Sequence, residues 1–360
     1  MSVPFPGEPA PWFVGKTSSN DTFHFSSVAG RYIALLFAPS SAAPDARAAW
    51  SRIAAARALF NDVRASCFGV TLDPEDERLA RVADDAPGLR WFYDSDRAIA
   101  KLYGMATDDD VGRGGWLLLD PTLRVMAGGG LEQVGSMLDY LGKLPPTNQH
   151  AGVATSPPVL VVPRVFEPQL CSDLVDYYRR TGGHASGFMQ EVNGMTVLAH
   201  GASHKRRADC LIEDRDLREA CRIRIVRRLA PAIANAFQFK ATRMERYLVS
   251  CYGPEGHFRA HRDNTTKGTA HRRFAVTLNL NAGEYDGGGL RFPEFSGEVM
   301  HAPTGGAIVF SCSLLHEATR VTRGERFAFL PFLYDEEGAR IREANREFVA
   351  ETDADLGDDT

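Results

Sequence analysis

A polar segment bracketed by two proline pairs, Pro145-Pro146 and Pro157-Pro158, cuts this 360-residue chain where its pattern of apolar residues changes character. Before the segment, apolar runs of strand length alternate with stretches of helix length. After it, short strands follow one another with Gly, Pro and Asn between them. One layered core does not accommodate both patterns, so the chain reads as two domains. Thr, Asn, Gln, His, Gly and Ser fill the space between the proline pairs, which is linker composition. We place the boundary at about residue 150, giving domains over 1–150 and 151–345 and a tail over 346–360. About 100–200 residues per domain agrees with that division.

Composition narrows the class. With 44% apolar and 24% charged residues, each half has enough apolar side chains for a core. A net charge of −5 supplies no general attraction to nucleic acid or to an anionic membrane. No apolar run reaches the roughly 18 residues of a spanning helix, and the proline-rich start lacks the pattern of a signal peptide. The six cysteines, at 67, 171, 210, 221, 251 and 312, form no C-x-x-C pair and mostly lie in apolar runs. They read as reduced core thiols of a cytoplasmic protein. The segment 351–360 carries five acids and no base, the composition of a solvated tail.

In the first half, the continuous apolar run 32–37 predicts a strand buried on both faces. A helix over 45–60, a strand over 67–72, a helix over 94–103, a hairpin around Asp120-Pro121 and a helix over 131–141 follow. Asp73-Pro74 has the form of an N-cap with proline at the first helical position. The order β-α-β-α-β-β-α is that of an α/β sandwich. With Leu36-Phe37-Ala38-Pro39, Phe68-Gly69-Val70-Thr71-Leu72-Asp73 and Trp116-Leu117-Leu118-Leu119-Asp120-Pro121, residues 5–143 resemble the peroxiredoxin branch of the thioredoxin-like fold. The resemblance implies a reactive cysteine near position 46 and a Thr or Ser at 43. Alanine stands at both, and Cys67 sits on an apolar strand. The half therefore keeps the redoxin fold without its peroxidatic cysteine, and a scaffold, homodimerisation or docking role is expected of it.

The second half opens with a strand over 159–162 and helices over 169–180 and 216–237. Strands follow over 243–251, 257–261, 273–280, 289–292, 307–312, 317–322 and 326–333, which predicts a β-barrel or jelly roll with helices outside it. His261-Arg262-Asp263 supplies a histidine and a carboxylate two positions apart, on one side of a strand end. His316, 53 residues beyond Asp263, supplies a second histidine. Two histidines and one carboxylate are the ligand set of a non-haem Fe(II) centre. Arg326, ten residues after His316, presents a guanidinium fork suited to a carboxylate.

With Tyr252-Gly253-Pro254-Glu255-Gly256 upstream and Asp286-Gly287-Gly288-Gly289-Leu290-Arg291-Phe292-Pro293 between, residues 158–335 resemble the prolyl 4-hydroxylase-type branch of the 2-oxoglutarate/Fe(II) dioxygenases. That resemblance implies a double-stranded β-helix, His261, Asp263 and His316 as metal ligands, and Arg326 as the 2-oxoglutarate anchor. Lysine often stands at that anchor in the collagen enzymes. Tyr252 matches a tyrosine that helps to hold 2-oxoglutarate. Thr277 and Asn279 are further candidates for the co-substrate wall, the choice between them left open. His24, His150, His184, His200, His204, His257, His271 and His301 are read as non-ligands, with His271 and His301 on a solvated loop or rim. The basic runs 205–207 and 222–228 are read as solvated faces, and the polar segment 264–272 as a flexible substrate lid. The implied activity couples O₂ and 2-oxoglutarate, giving succinate and CO₂, to hydroxylation of a peptidyl or free amino acid, proline-like in character; ascorbate would rescue oxidised iron. The alternatives are the same chemistry on a small biosynthetic intermediate, and a non-enzymatic binding protein.

Overall fold

The computed structural model describes residues 2–107 and 112–350; the acidic stretch 351–360 lies outside them. The chain forms two compact units, one of Met1–Pro157 with Pro293–Gly297, the other of Pro158–Phe292 with Glu298–Thr360. None of the described helices is long and apolar enough to cross a membrane. All six cysteines are free and buried.

The first unit has the thioredoxin-like peroxiredoxin fold. Its strands are β1 (Val14–Thr17), β2 (Phe23–His24), β3 (Tyr32–Ala38), β4 (Ala65–Thr71), β5 (Leu89–Tyr93), β6 (Gly115–Leu119) and β7 (Val125–Gly129), and they lie in the order β2-β1-β5-β4-β3-β6-β7. β3 and β4 are parallel and every residue in them is buried, which is why β3 is continuously apolar rather than alternating. Helix α1 (Pro44–Ala55) starts with proline in its first turn, and Asp73 caps α2 (Pro74–Arg78) by accepting from Glu75 N at 2.9 Å. The expected helix over 94–103 shrinks to α3 (Ala98–Leu102), because Asp94 acts as a cap that accepts from the backbone of Ile99 and Ala100. The residues before it form β5, a strand the sequence reading missed. Helix α4 (Val134–Lys143) closes the unit.

Ala46 stands in the first turn of α1 and is buried. The loop before it is held by the fully buried Asp76, which accepts from Ser41 N at 2.8 Å and Ser41 Oγ at 2.7 Å. Cys67 has no exposed surface, and burial pushes its thiol well above the usual range. A buried thiol held protonated is a poor nucleophile. The full-length protein is therefore expected to consume hydrogen peroxide, with a thiol reductant present, no faster than Cys67→Ser does. A rate well above background that vanishes in Cys67→Ser would contradict this.

The second unit is a jelly roll with helices outside it. After β8 (Leu160–Val162) and α5 (Pro168–Thr181) come β9 (His184–Ala185), the hairpin of β10 (Phe188–Val192) and β11 (Met195–Ala199), β12 (Lys205–Arg206) and β13 (Ala208–Leu211). The expected helix over 216–237 is interrupted. α6 (Arg215–Arg224) runs into one π turn, Ile225–Leu229, before α7 (Ala230–Phe237). Pro231 accounts for the break, since it lacks an N–H and its ring crowds the preceding turn. The strands that follow are β14 (Arg243–Glu245), β15 (Leu248–Tyr252), β16 (His257–His261), β17 (Phe274–Asn279), β18 (Asp286–Gly287), β19 (Leu290–Arg291), β20 (Val299–Met300), β21 (Ala307–Ser311), β22 (His316–Ala318), β23 (Val321–Arg323), β24 (Arg326–Phe329) and β25 (Phe332–Tyr334). The expected strand over 243–251 is split at Arg246, whose φ of 69° turns the chain between β14 and β15.

Two sheets face each other. The smaller runs β12-β16-β22-β19-β20; the larger includes β14-β25-β17-β24-β15-β13-β9, with β21 and β8 attached to β17. Helices α5, α6 and α7 bury Leu170, Leu174, Cys221 and Ile233 in a core shared with Val249, Val276, Leu278, Phe327 and Phe329 of the larger sheet. At roughly 1.5–3 kcal/mol per fully buried side chain, this layer fixes the strands from which the site residues project.

Candidate active site

His261 ends β16 and His316 begins β22, and the two are direct partners in the antiparallel ladder. The strand pairing alone thus brings together residues 55 apart in sequence. Asp263 lies just beyond the strand, its backbone N–H donating to Cys312 O at 2.9 Å. The carboxylate Oδ1 is 3.4 Å from His261 Nε2 and Oδ2 is 3.3 Å from His316 Nε2. One donor atom from each of the three residues falls within a 4.8 Å cluster, tight enough to hold one cation.

The outer partners set the chemistry of these donors. His261 Nδ1 donates to Arg259 O at 2.8 Å and His316 Nδ1 to Leu314 O at 3.0 Å. A carbonyl can only accept, so each Nδ1 carries the proton and each Nε2 lone pair faces Asp263. Burial pushes the His316 imidazole down to about 4, so it is neutral at physiological pH, as a metal ligand must be. Burial acting alone would raise the Asp263 carboxyl; His316 and His261 when protonated, and Arg272 at every pH, more than offset it and hold the group below the ordinary carboxylate range.

Behind Asp263 lies a support the sequence reading missed. Arg272 Nη1 donates to Asp263 O at 3.4 Å, and Arg272 Nε to the buried Glu245 at 2.6 Å; His271 Nε2 lies 3.1 Å from the same carboxylate. His271 is therefore a core residue, not the solvated loop histidine expected. Removing Glu245 leaves an uncompensated guanidinium inside the unit. Glu245→Ala is expected to destabilise this unit by about 3–5 kcal/mol, the usual result of breaking a buried pair, read as a fall in its melting temperature. A variant melting with the wild type would contradict that role.

The expected lid is not free either. Thr266 and Thr269 are buried and cap the turn Lys267–Thr269. Thr196 Oγ1 accepts from Gly268 N at 2.9 Å, Asn345 Nδ2 donates to Lys267 O at 2.9 Å, and the Lys267 ammonium sits 3.6 Å from the Phe348 ring centre. A polar composition suggested a loose loop; its polar groups are instead engaged by β11 and by the chain after α8 (Glu336–Ala344).

Arg326 opens β24 and pairs in register with Tyr252 at the end of β15. Its guanidinium lies 5.0 Å from the Tyr252 ring centre and is buried. Among the described residues no carboxylate pairs with it, although buried guanidinium groups ordinarily require one. It lines a narrow pocket with Thr277, Asn279, Tyr285, Gly288 and His301. Thr277 and Asn279 both line it, because residues two apart on β17 share a face. Asn279 Nδ2 donates to Ala302 O at 2.9 Å. His301, read from sequence as a rim residue, lines the same pocket.

The run 205–207 also differs from expectation. Alternation along the chain turns Lys205, Arg207 and Asp209 inward and leaves Arg206 exposed. Arg207 donates to Asp209 at 2.6 Å and to the Tyr252 hydroxyl at 3.3 Å. A cation and an anion two apart were the available signal of an inward-facing pair. The run 222–228 does lie on a paired surface, with Arg222 on Glu219 and Arg224 and Arg228 on Glu167.

This arrangement meets independent comparison. Residues 247–334 match the family model for the 2OG-Fe(II) oxygenase superfamily. Residues 6–127 match that for the AhpC/TSA family. The first of these names carries its cofactors, Fe(II) and 2-oxoglutarate, and the His-Asp-His cluster falls inside the matched oxygenase segment. A PKHD-type hydroxylase of Hyphomonas neptunium is 35% identical over 92 residues; that match covers 24% of this chain and 41% of the relative's length. Among solved structures, a Pseudomonas putida prolyl-4-hydroxylase aligns at 18% identity and a TM-score of 0.38, covering 50% of this chain and 94% of that one. A Xanthomonas campestris bacterioferritin comigratory protein aligns at 16% identity and a TM-score of 0.31, covering 36% and 90%.

Proposed function

We propose that the oxygenase segment is an Fe(II)- and 2-oxoglutarate-dependent hydroxylase acting on a peptidyl or free amino acid of proline-like character. The observation that carries this reading is that a buried arginine with no carboxylate partner among the described residues and a two-histidine, one-carboxylate cluster project from facing sheets of one jelly roll. The donor set fits the metal: two imidazole Nε2 lone pairs and an ionised carboxylate, each oriented by an outer hydrogen bond or charge. Iron held by His261, Asp263 and His316 would supply the O₂ chemistry, with 2-oxoglutarate as the electron source.

The protein's own part is binding and orientation. Arg326 would take the distal carboxylate of 2-oxoglutarate through its fork. The Tyr252 hydroxyl accepts from Arg207, so its own O–H is left to donate toward the co-substrate. Thr277 and Asn279 would shape the wall. The proline-like substrate rests on the motif resemblance and on the PKHD-type hydroxylase relative. In this reading the first unit contributes stability or a homodimer platform instead of redox chemistry.

The test supplies Fe(II), ascorbate, O₂ and 2-oxoglutarate to the full-length protein, with proline-containing peptides and free amino acids in turn, and measures succinate. Succinate formation that a substrate stimulates and His316→Ala lacks is the expected result. Succinate no higher than in His316→Ala, whatever the substrate, would remove the reading.

A further inference from the structure

His301 is the one ionisable side chain besides Arg326 and the Tyr285 phenol among the residues that line the co-substrate pocket. It follows β20 of the smaller sheet, whereas Arg326 begins β24 of the larger, so the two reach the pocket from opposite sheets. Adjacent glycines accommodate both. A Cβ at Gly288 would lie 3.0 Å from Arg326 Cδ, and one at Gly289 only 2.6 Å from both Cε1 and Nε2 of His301. The glycine run therefore leaves space for the arginine stem on one residue and the imidazole on the next. We propose that His301 and Arg326 together form a two-armed clamp for the distal carboxylate of 2-oxoglutarate, and that the co-substrate takes up a proton on His301 as it binds. This rests on the proposed function above and goes beyond it, since there the carboxylate is assigned to Arg326 alone.

The electrostatics give the sign. Without a ligand, partial burial and then the Arg326 charge hold the His301 imidazolium below its ordinary value of 6.5. Arg326 on β24 is the charged group that bears on the ring among the described residues; Tyr285, Thr277 and Asn279 are the other polar groups lining the pocket. A bound carboxylate places a negative charge between the two cations. It offsets the Arg326 repulsion and stabilises the protonated imidazole. The group's pKa is thus higher in the complex than in the free protein. Affinity for 2-oxoglutarate is then full below the free-state pKa, falls as pH rises through the window between the two pKa values, and levels off above the pKa of the complex. His301 is exposed, so its arm is the weaker one: its removal should raise the dissociation constant roughly three- to tenfold, the low end for a hydrogen bond to a charged group.

The experiment is calorimetry of 2-oxoglutarate binding to full-length protein preloaded with Mn(II), in two buffers of different ionisation enthalpy, at several pH values between about 5.5 and 8. The clamp predicts net proton uptake by the wild type in the lower part of that range. It predicts loss of that uptake, with a three- to tenfold weaker dissociation constant, in His301→Asn and His301→Ala, with Mn(II) affinity unchanged. Tight binding with no uptake, or uptake that persists in His301→Asn, overturns the clamp and leaves the proposed function standing. Absence of any 2-oxoglutarate binding to the Mn(II)-loaded wild type overturns both.

Discussion

Replacing His261, Asp263 or His316 with alanine is expected to abolish substrate-dependent succinate formation while the protein remains folded. Three donors gathered within 4.8 Å are the proposed ligands of the metal, and each removal leaves two. Loss of an outer-shell partner typically costs 10- to 100-fold in metal affinity, so loss of a ligand should weaken Fe(II) binding by more than about 100-fold. Asp263→Ala should be the most severe. It removes the only negative charge in the cluster and leaves His261 and His316 with no anion between them. Fe(II) titration and melting curves separate the two effects: metal affinity should collapse while the melting temperature of the metal-free protein moves little. Near wild-type turnover by any one variant would remove the triad from its role.

Arg326→Ala is expected to weaken 2-oxoglutarate about 30- to 5,000-fold, the equivalent of about 2–5 kcal/mol for a desolvated two-pronged charge pair. Iron affinity should be unaffected, since Arg326 contributes no donor to the metal cluster. A second signature distinguishes ligand binding from a purely structural role. The guanidinium is buried with no carboxylate partner among the described residues, so its removal relieves a desolvation cost and loses only packing on Tyr252. The ligand-free variant should melt close to the wild type. An unchanged 2-oxoglutarate dissociation constant would exclude Arg326 from the anchor position.

The parts of the molecule legible in the sequence were those with one dominant physical signal. β3 is apolar at every position because both faces are covered, so it reads directly as a buried parallel strand. The His-x-Asp pair is a weak signal alone and reads as part of a ligand set with His316 only beside the surrounding motifs; the fold brings the three donor atoms within 4.8 Å. What stayed hidden depended on tertiary partners. Glu245, Arg272 and His271 sit in unremarkable polar stretches, and nothing local announces that they meet in the core. The segment 264–272 has the composition of a loop, and its anchors, Thr196 and Asn345, lie far away in the chain. His301 is exposed, as its reading as a rim residue expects; the pocket it lines is set by the pairing of β19 with β20, Leu290 opposite Met300, which no local pattern announces. In the run 205–207 three adjacent charges mask the alternation that turns Lys205 and Arg207 inward.

The proposed function requires that the jelly roll hold Fe(II) on His261, Asp263 and His316 and admit 2-oxoglutarate beside it. Its most direct test is anaerobic titration of the Fe(II)-loaded full-length protein with 2-oxoglutarate, followed by visible absorption. The expected result is a saturable new absorption band from 2-oxo acid binding at the metal, absent in Asp263→Ala and shifted to far higher 2-oxoglutarate concentration in Arg326→Ala. A wild-type protein that binds no Fe(II), or one whose Fe(II)-loaded spectrum does not respond to 2-oxoglutarate, would contradict it.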